Sequence, residues 1–204
     1  MIRVHVICEG QTEETFVNDL LAPYFEPKGI YLLPSLIGKP GHKGGNFKIE
    51  RFVMDLQNRL LKDGSAYCTC MFDFYGLPED FPGKSEAMEK MTANLKSAEF
   101  INHLQNHLIF KLGKEPLSRF IPYVQMYEFE GLLFSSPELL ADALDTPNML
   151  EKLKQIRNKF ITPEDINNSP QTAPSKRLAS LYPEYQKVIH GTIGAMNIGL
   201  NKIR

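Results

Sequence analysis

Residues 2–21, IRVHVICEGQTEETFVNDLL, decide how the chain is read. The first seven are rich in Val and Ile and suit a buried strand. Thr12, Glu14, Phe16, Val17, Leu20 and Leu21 then suit an amphipathic helix. Strand and helix meet at Glu9-Gly10, so the chain opens as strand, acidic turn, helix, the first half of an alternating α/β unit.

The same grammar continues outward. Ile30–Ile37 reads as a second strand, followed by the loop GKPGHKGG (38–45) and a helix over Lys48–Leu61 carrying Ile49, Phe52, Val53, Leu56 and Leu60. A third strand over Ala66–Phe72 ends at Asp73, and GLPEDFPGK (76–84) is a loop by its Gly and Pro content. The spacing of Met88, Met91, Leu95, Ile101, Leu104 and Leu108 predicts a long helix over Ser85–Leu112. A fourth strand over Phe120–Met126 runs into YEFEGLLF (127–134), which reads as the first turn of another helix. Beyond residue 136 strand signals stop. Helices are expected over Pro137–Leu144, Asn148–Phe160 and Ser175–His190, with ITPEDINNSPQTAP (161–174) between the last two. The expected architecture is an α/β core over 1–135, with a mostly parallel, Rossmann-like four-stranded sheet flanked by helices. An α-helical C-terminal extension over 136–204 packs on it.

The chain has 204 residues, enough for a sizeable core, and its 43% hydrophobic and 23% charged content is that of an ordered globular protein. A net charge of -1 gives no global attraction to nucleic acid, so any such binding must come from local patches. Cys8, Cys68 and Cys70 are odd in number and sit in apolar runs, the usage of a reducing compartment. The start MIRVHVICEG lacks the basic stretch and apolar core of a signal peptide, and no run approaches a membrane span. A cytoplasmic protein that does not enter membranes is the expectation.

Three acidic elements stand just past strand-like runs: Glu9, Asp73, and the pair Glu128 and Glu130. In an open α/β sheet, ligands bind outside the carboxyl ends of the strands, so acids far apart in sequence can converge there. Each acid alone also suits a turn or helix cap. Together they match the supply of a hard divalent cation, for which proteins give one or two carboxylates while phosphate and water complete the shell. Mg²⁺ or Mn²⁺ is the expected cofactor, held by Glu9, Asp73, Glu128 and Glu130. Glu128 and Glu130 diverge if they lie on a helix and share a face if extended, and Glu128, nearest the strand end, is favoured.

The runs CEGQTEETFV (8–17), FDFYGLP (72–78), RFIPYVQMYEFEGLLF (119–134) and TAPSKRL (172–178) resemble, over most of the chain, the bacterial domain-of-unknown-function 4276 family. That family has a Toprim-like fold related to OLD-family nucleases. The resemblance gives Glu9 the role of the Toprim glutamate and Asp73 that of the first aspartate of an Asp-x-Asp pair. Tyr75 stands where the second aspartate belongs, and Glu128 with Glu130 are the expected replacement. Tyr75 itself either bonds a phosphate or packs. The resemblance also implies relatives that continue past residue 204 with a short helical tail.

The expected function is that of a Mg²⁺-dependent Toprim-like nuclease hydrolysing DNA or RNA phosphodiesters, with Glu9, Asp73 and Glu128 as catalytic residues and one or two metals. Polarising the phosphodiester, activating water and stabilising the leaving oxygen are the tasks of such a site. With a single metal, Glu9 is free to serve as general base. The resemblance further implies an ABC- or AAA-type ATPase partner in a two-component defence against phage or plasmids. A homodimer is compatible with this. The alternative is a non-catalytic Toprim-like partner that binds nucleic acid or regulates an ATPase; phosphoryl chemistry on a small nucleotide is a third reading.

Two basic groups are candidates for nucleic-acid contact. Lys39, His42 and Lys43 lie in the glycine-rich loop after the second strand, which is not a Walker A loop because no Gly-Lys-Ser/Thr closes it. Lys176, Arg177 and Lys187 lie in and beyond TAPSKRL. Such contacts give salt-sensitive affinity with little sequence preference. A solvated loop and a solvated helix face are the plain readings of the two groups. His103 and His107 lack the glutamate of a metalloprotease helix and read as a polar face. Cys68 and Cys70 read as core, and no Gly-x-Ser-x-Gly run is present.

Overall fold

Strand β1 (Ile2–Cys8) lies inside a four-stranded sheet of order β2-β1-β3-β4 in a computed structural model, which describes residues 1–38, 47–166 and 171–203. The chain divides into two compact units, Met1–Val124 and Gln125–Arg204. The division falls before the Glu128–Glu130 segment, whereas the sequence placed that segment at the end of an α/β core reaching 135.

In the first unit, β1 pairs in parallel with β2 (Ile30–Leu36), with Ile2 opposite Ile30 and Cys8 opposite Leu36. On its other side β1 pairs in parallel with β3 (Tyr67–Met71), Cys8 standing opposite Met71, and β3 pairs in parallel with β4 (Phe120–Ile121). The sheet is thus fully parallel and flanked by helices, as the alternating pattern predicted. Central parallel strands are covered on both faces, and Val6, Ile7, Cys8, Cys68, Cys70 and Met71 are accordingly buried.

Strand β1 leads into α1 (Gln11–Phe16), a π-helical turn (Val17–Leu21) and α2 (Ala22–Phe25), which return the chain to β2. Helix α3 (Ile49–Lys62) buries Phe52, Leu56 and Leu60. Phe72 meets Phe47 and Phe52 with ring centroids 4.7 and 5.0 Å apart. Such aromatic contacts add to the stabilisation from burial alone.

The predicted helix over Ser85–Leu112 is two, α4 (Lys84–Met88) and α5 (Ala93–Leu112). Thr92 separates them because its extended backbone and hydroxyl, which accepts from Leu95 N–H at 3.3 Å, restart the helix as an N-cap. Short α6 (Lys114–Leu117) precedes β4. The expected strand over Phe120–Met126 stops at Ile121, since Pro122 has no N–H to give to a ladder.

The second unit is helical among its described residues. A 3-10 helix (Phe129–Ser135) leads to α7 (Pro137–Ala143), α8 (Leu150–Arg157), α9 (Pro174–Leu181) and α10 (Lys187–Ile198). The helical turn expected in YEFEGLLF is 3-10 and begins at Phe129, with Glu128 extended before it. Likewise the helix predicted over Ser175–His190 is interrupted: Tyr182, which precedes Pro183, is extended, as a residue before proline prefers. Helix α10 packs through Gly191, Thr192, Gly194, Ala195 and Ile198, and a Cβ on Gly194 would lie 3.0 Å from Leu140 Cδ1. No helix among the described residues is long and apolar enough to cross a membrane.

Candidate functional site

The connection from β1 goes to β2 on one side of the sheet, and β3 connects to β4 on the other. The order of strands reverses between β1 and β3, a topological switch point where loops diverge and leave a crevice at the carboxyl ends. Glu9 is the first residue past β1, and Asp73 is the second past β3. Parallel pairing in the register Cys8 to Met71 brings the two together.

Their contact is specific. Glu9 N–H donates to Met71 C=O at 3.1 Å, continuing the ladder by one residue, and the Asp73 N–H donates to Glu9 Oε2 at 2.9 Å. Each chain end thereby fixes the other: the backbone at Asp73 orients the carboxylate of Glu9. Gly10 caps α1, its N–H donating to Glu13 Oε2 at 2.9 Å. Asp73 in turn starts a 3-10 turn over Phe74–Gly76, closed by Gly76 N–H to Asp73 C=O at 3.0 Å. That turn crosses the Glu9 side chain so closely that a Cβ at residue 76 would displace the carboxylate. Phe74 anchors it in the core, with its ring 5.8 Å from that of Phe100.

The loop beyond is tied down by Lys84. This lysine is 4% exposed, its ammonium donates to the Leu77 carbonyl, and it pairs with Glu79 at 3.1 Å. Tyr75, standing where the resemblance places a second aspartate, is half-buried.

Glu128 and Glu130 belong to the second unit, and their environments differ. Glu128 is extended and half-buried, and its two oxygens accept from the N–H and the hydroxyl of Ser175 at 3.0 and 3.1 Å. Glu130 is fully buried, with Lys187 Nζ 3.1 Å from its Oε2. Burial pushes its carboxyl pKa up, Lys187 opposes this, and the charge of Glu128 adds to the rise. Glu130 Oε1 and the hydroxyl of Tyr185 are both buried with no hydrogen-bond partner among the described residues. Tyr185 is close enough to feel both glutamates: its phenol is pushed up by burial first and then by Glu130 and Glu128.

The basic candidates fare differently. Lys39, His42 and Lys43 lie outside the described residues. Lys176 is exposed, whereas Arg177 donates to Thr172 C=O at 2.6 Å and lies over Phe160, 5.6 Å from the ring centroid. Lys187 is engaged by Glu130. His103 lies beside Glu99 on its own helix, Nε2 at 3.2 Å. Burial raises the thiols of Cys8 and Cys68 to about 12, and that of Cys70 further, so all three are inert core groups.

Glu9 and Asp73 fit a hard divalent cation in donor type and number, two carboxylates at one sheet edge. Among the described residues no three or more His, Cys, Asp or Glu side chains gather into a metal-binding group. Sequence reasoning passed over Gly76, Lys84, Ser175 and Tyr185. The serine lies inside TAPSKRL, noted for its cations.

A family model described as "Domain of unknown function (DUF4276)" matches residues 8–204. No protein of curated function matches. Among solved structures, the chain is similar to the C-terminal region of the Xanthomonas campestris pv. campestris OLD protein. The identity is 12% and the TM-score 0.43, over 100% of this chain and 89% of that one.

Proposed function

We propose, for a chain that belongs to the DUF4276 family, that it is a Mg²⁺- or Mn²⁺-dependent phosphodiesterase acting on nucleic acid, with its chemistry centred on Glu9 and Asp73. The observation that carries this reading is the meeting of these two acids at the β1/β3 switch point, where the Asp73 amide holds the Glu9 carboxylate. A bound divalent ion there supplies Lewis acidity to a phosphoryl oxygen and acidifies water. Glu9 and Asp73 would hold it, the Gly76 turn would keep the Glu9 carboxylate in place, and Lys84 would keep the loop from shifting. In the second unit we assign cation binding to Glu128 in preference to Glu130, because Glu130 is sealed from solvent and neutralised by Lys187.

Exposed Lys176, with Lys39, His42 and Lys43, is our choice for phosphate contact. An ATPase partner, a role in defence against phage or plasmids and a homodimer are parts of the same reading. They are supported by the sequence resemblance alone.

The test is incubation of the purified chain with plasmid, linear DNA and RNA in Mg²⁺ or Mn²⁺, alone and with an ATPase encoded beside it. Cleavage that needs the metal and is lost in Glu9→Gln and Asp73→Asn is the expected result, and cleavage persisting in both variants overturns it. Tyr75 at the second aspartate position favours a second reading, a module that binds nucleic acid or an ATPase without cutting. Metal-independent binding with no cleavage under any condition would decide for it.

A further inference from the structure

We propose that Arg51 is a phosphate-binding residue, whose guanidinium receives the non-bridging oxygens of a nucleic-acid backbone phosphate beside the Glu9–Asp73 edge. The inference rests on the reading above that nucleic acid is the substrate, and it lies wholly within the first unit. Arg51 is the third residue of α3, and two anchors place that end of the helix at the carboxyl edge of the sheet. On one side the Phe47 ring packs 4.7 Å from that of Phe72, the residue before Asp73. On the other, Gly38 N–H donates at 2.9 Å to Oδ2 of Asp55, one turn along α3 from Arg51. Gly38 follows Ile37, whose N–H donates to Cys8 C=O at 2.9 Å and closes the β1–β2 ladder where Glu9 follows Cys8. Neighbouring strands lie about 5 Å apart, so β2 ends one strand away from Glu9.

The guanidinium lies against that strand end. Its Nη2, Nε and Cζ are 3.7, 3.8 and 4.0 Å from where a Cβ of residue 38 would stand. Nε is buried with no hydrogen-bond partner among the described residues, and Asp55 Oδ2, 3.8 Å away, is near enough to pair charges but too far for a hydrogen bond. The other arginines of this region differ. Arg119 donates to the carbonyls of Leu60, Asp63 and Ala66, and Arg59 to Asp55 C=O and Ser35 Oγ, so the fold itself fills their forks. Arg51 makes no such bond among the described residues, and 24% of its side chain is open to solvent, none of it at Nε. A guanidinium carries five donors in a planar fork that meets phosphate in two parallel bonds. Asp55 cancels part of the charge and aims the stem, leaving the fork to a ligand. The first turn of α3 has no side-chain cap from Lys48, and its unpaired N–H groups favour an anion at the same place. Contacts of this kind position a nucleic acid without reading its bases.

Fluorescence anisotropy of a labelled DNA duplex and a labelled RNA hairpin with the full chain, in EDTA and again with Ca²⁺, tests this without asking for cleavage. Arg51→Met should weaken binding about tenfold or more and lower the slope of log affinity against log salt by about one, the signature of one lost phosphate contact. Arg51→Lys keeps the charge and loses the fork, so it should hold the slope and weaken binding less. Asp55→Asn, which keeps an acceptor for Gly38 N–H, should bind at least as tightly as wild type, and adding it to Arg51→Met should restore nothing. Wild-type affinity and slope in Arg51→Met, or a loss in Asp55→Asn equal to that in Arg51→Met, overturns the proposal and leaves Arg51 a structural partner of Asp55. Where a thermal melt shows Arg51→Met unfolded, Arg51→Lys decides: weaker binding at an unchanged slope supports the proposal, and wild-type affinity overturns it. If wild type binds a probe and Arg51→Met binds it equally, this inference alone fails. If wild type binds neither probe under either condition, the nucleic-acid reading fails with it.

Discussion

Gly76 carries the turn after β3 across Glu9 so closely that a Cβ at residue 76 would lie 2.2 Å from Glu9 Oε1 and 2.9 Å from its Cδ. The atom in the way is the far end of a side chain, so the turn can survive a methyl group if the carboxylate moves. Gly76→Ala is therefore expected to shift Glu9 without removing it. Stability should change by less than about 1 kcal/mol, as for a side chain that can rotate aside. Activity should fall about 100-fold, the scale of an ångström-sized misplacement. Comparison of cleavage rate and urea midpoint in the same preparation checks this; equal loss of both would mean that the turn itself had collapsed.

Lys84 and Glu79 form an ion pair whose two ends are unequal, one 5% and the other 89% exposed in the side chain. Glu79→Gln should thus cost no more than about 0.5 kcal/mol, as exposed charges do. Lys84→Met removes the donor to the Leu77 carbonyl and should cost about 1–3 kcal/mol. Chemical denaturation of the two variants gives the comparison, and similar costs for both would show that the carbonyl bond contributes little.

The sheet was legible because β1 and β3 are apolar runs ending in Glu9 and Asp73, and a parallel, doubly covered strand writes burial on both its faces. The meeting of those two acids was legible for the same reason. Glu128 and Glu130 were harder. Their spacing suggested two orientations but not that Lys187 lies on Glu130, because that ion pair joins residues 57 apart through tertiary packing. Ser175 was hidden for a different reason: its backbone N–H does half the work, and a backbone donor leaves no trace in the residue type. The helix breaks at Thr92 and Pro183 were visible as residues, yet regular apolar spacing across them outweighed the local signal.

Arg3 and Asp63 supply the pH test. Arg3 Nε and Nη2 donate to the two Asp63 oxygens at 3.0 and 2.8 Å, and Ser65 adds a hydroxyl donor. The Arg3 bonds first, and then Ser65, hold the Asp63 carboxyl well below its ordinary value of 3.8. A carboxyl lowered by folding contributes stability above its unfolded value and loses it as pH falls toward the folded one. The thermal midpoint of the wild type should therefore drop on acidification below about pH 4. Asp63→Asn should start lower at neutral pH and fall less steeply over that range. Parallel slopes would show that the pair is not linked to folding.

Gly194 faces Leu140 Cδ1 at 3.0 Å and Leu133 Cδ2 at 3.4 Å from the place its Cβ would take. Alanine here gains helix propensity, up to about 1 kcal/mol, against a contact that two leucine side chains can relax. Gly194→Ala should be near neutral. Gly194→Val adds branches that those leucines cannot avoid, and overpacking of this kind costs about 1–3 kcal/mol. Urea unfolding of the two variants separates the outcomes, and a stable valine variant would mean that α10 can move away from α7.

Glu130 and Lys187 predict a non-additive pair. The carboxylate is fully buried while the lysine side chain is 49% exposed, so removal of the two partners has different consequences. Lys187→Met leaves a buried charge without its cation. Breaking a wholly buried pair in this way costs about 3–5 kcal/mol, and the half-exposed lysine lowers the expectation to about 1–3. Glu130→Met frees a lysine that can turn to solvent, and it removes a desolvated acid, so it should cost less. The double variant Glu130→Met/Lys187→Met should be more stable than Lys187→Met alone, because the stranded carboxylate that carries the cost is gone. Equilibrium unfolding at neutral pH of all four proteins measures the coupling. Simple additivity would show that Lys187 does not neutralise Glu130.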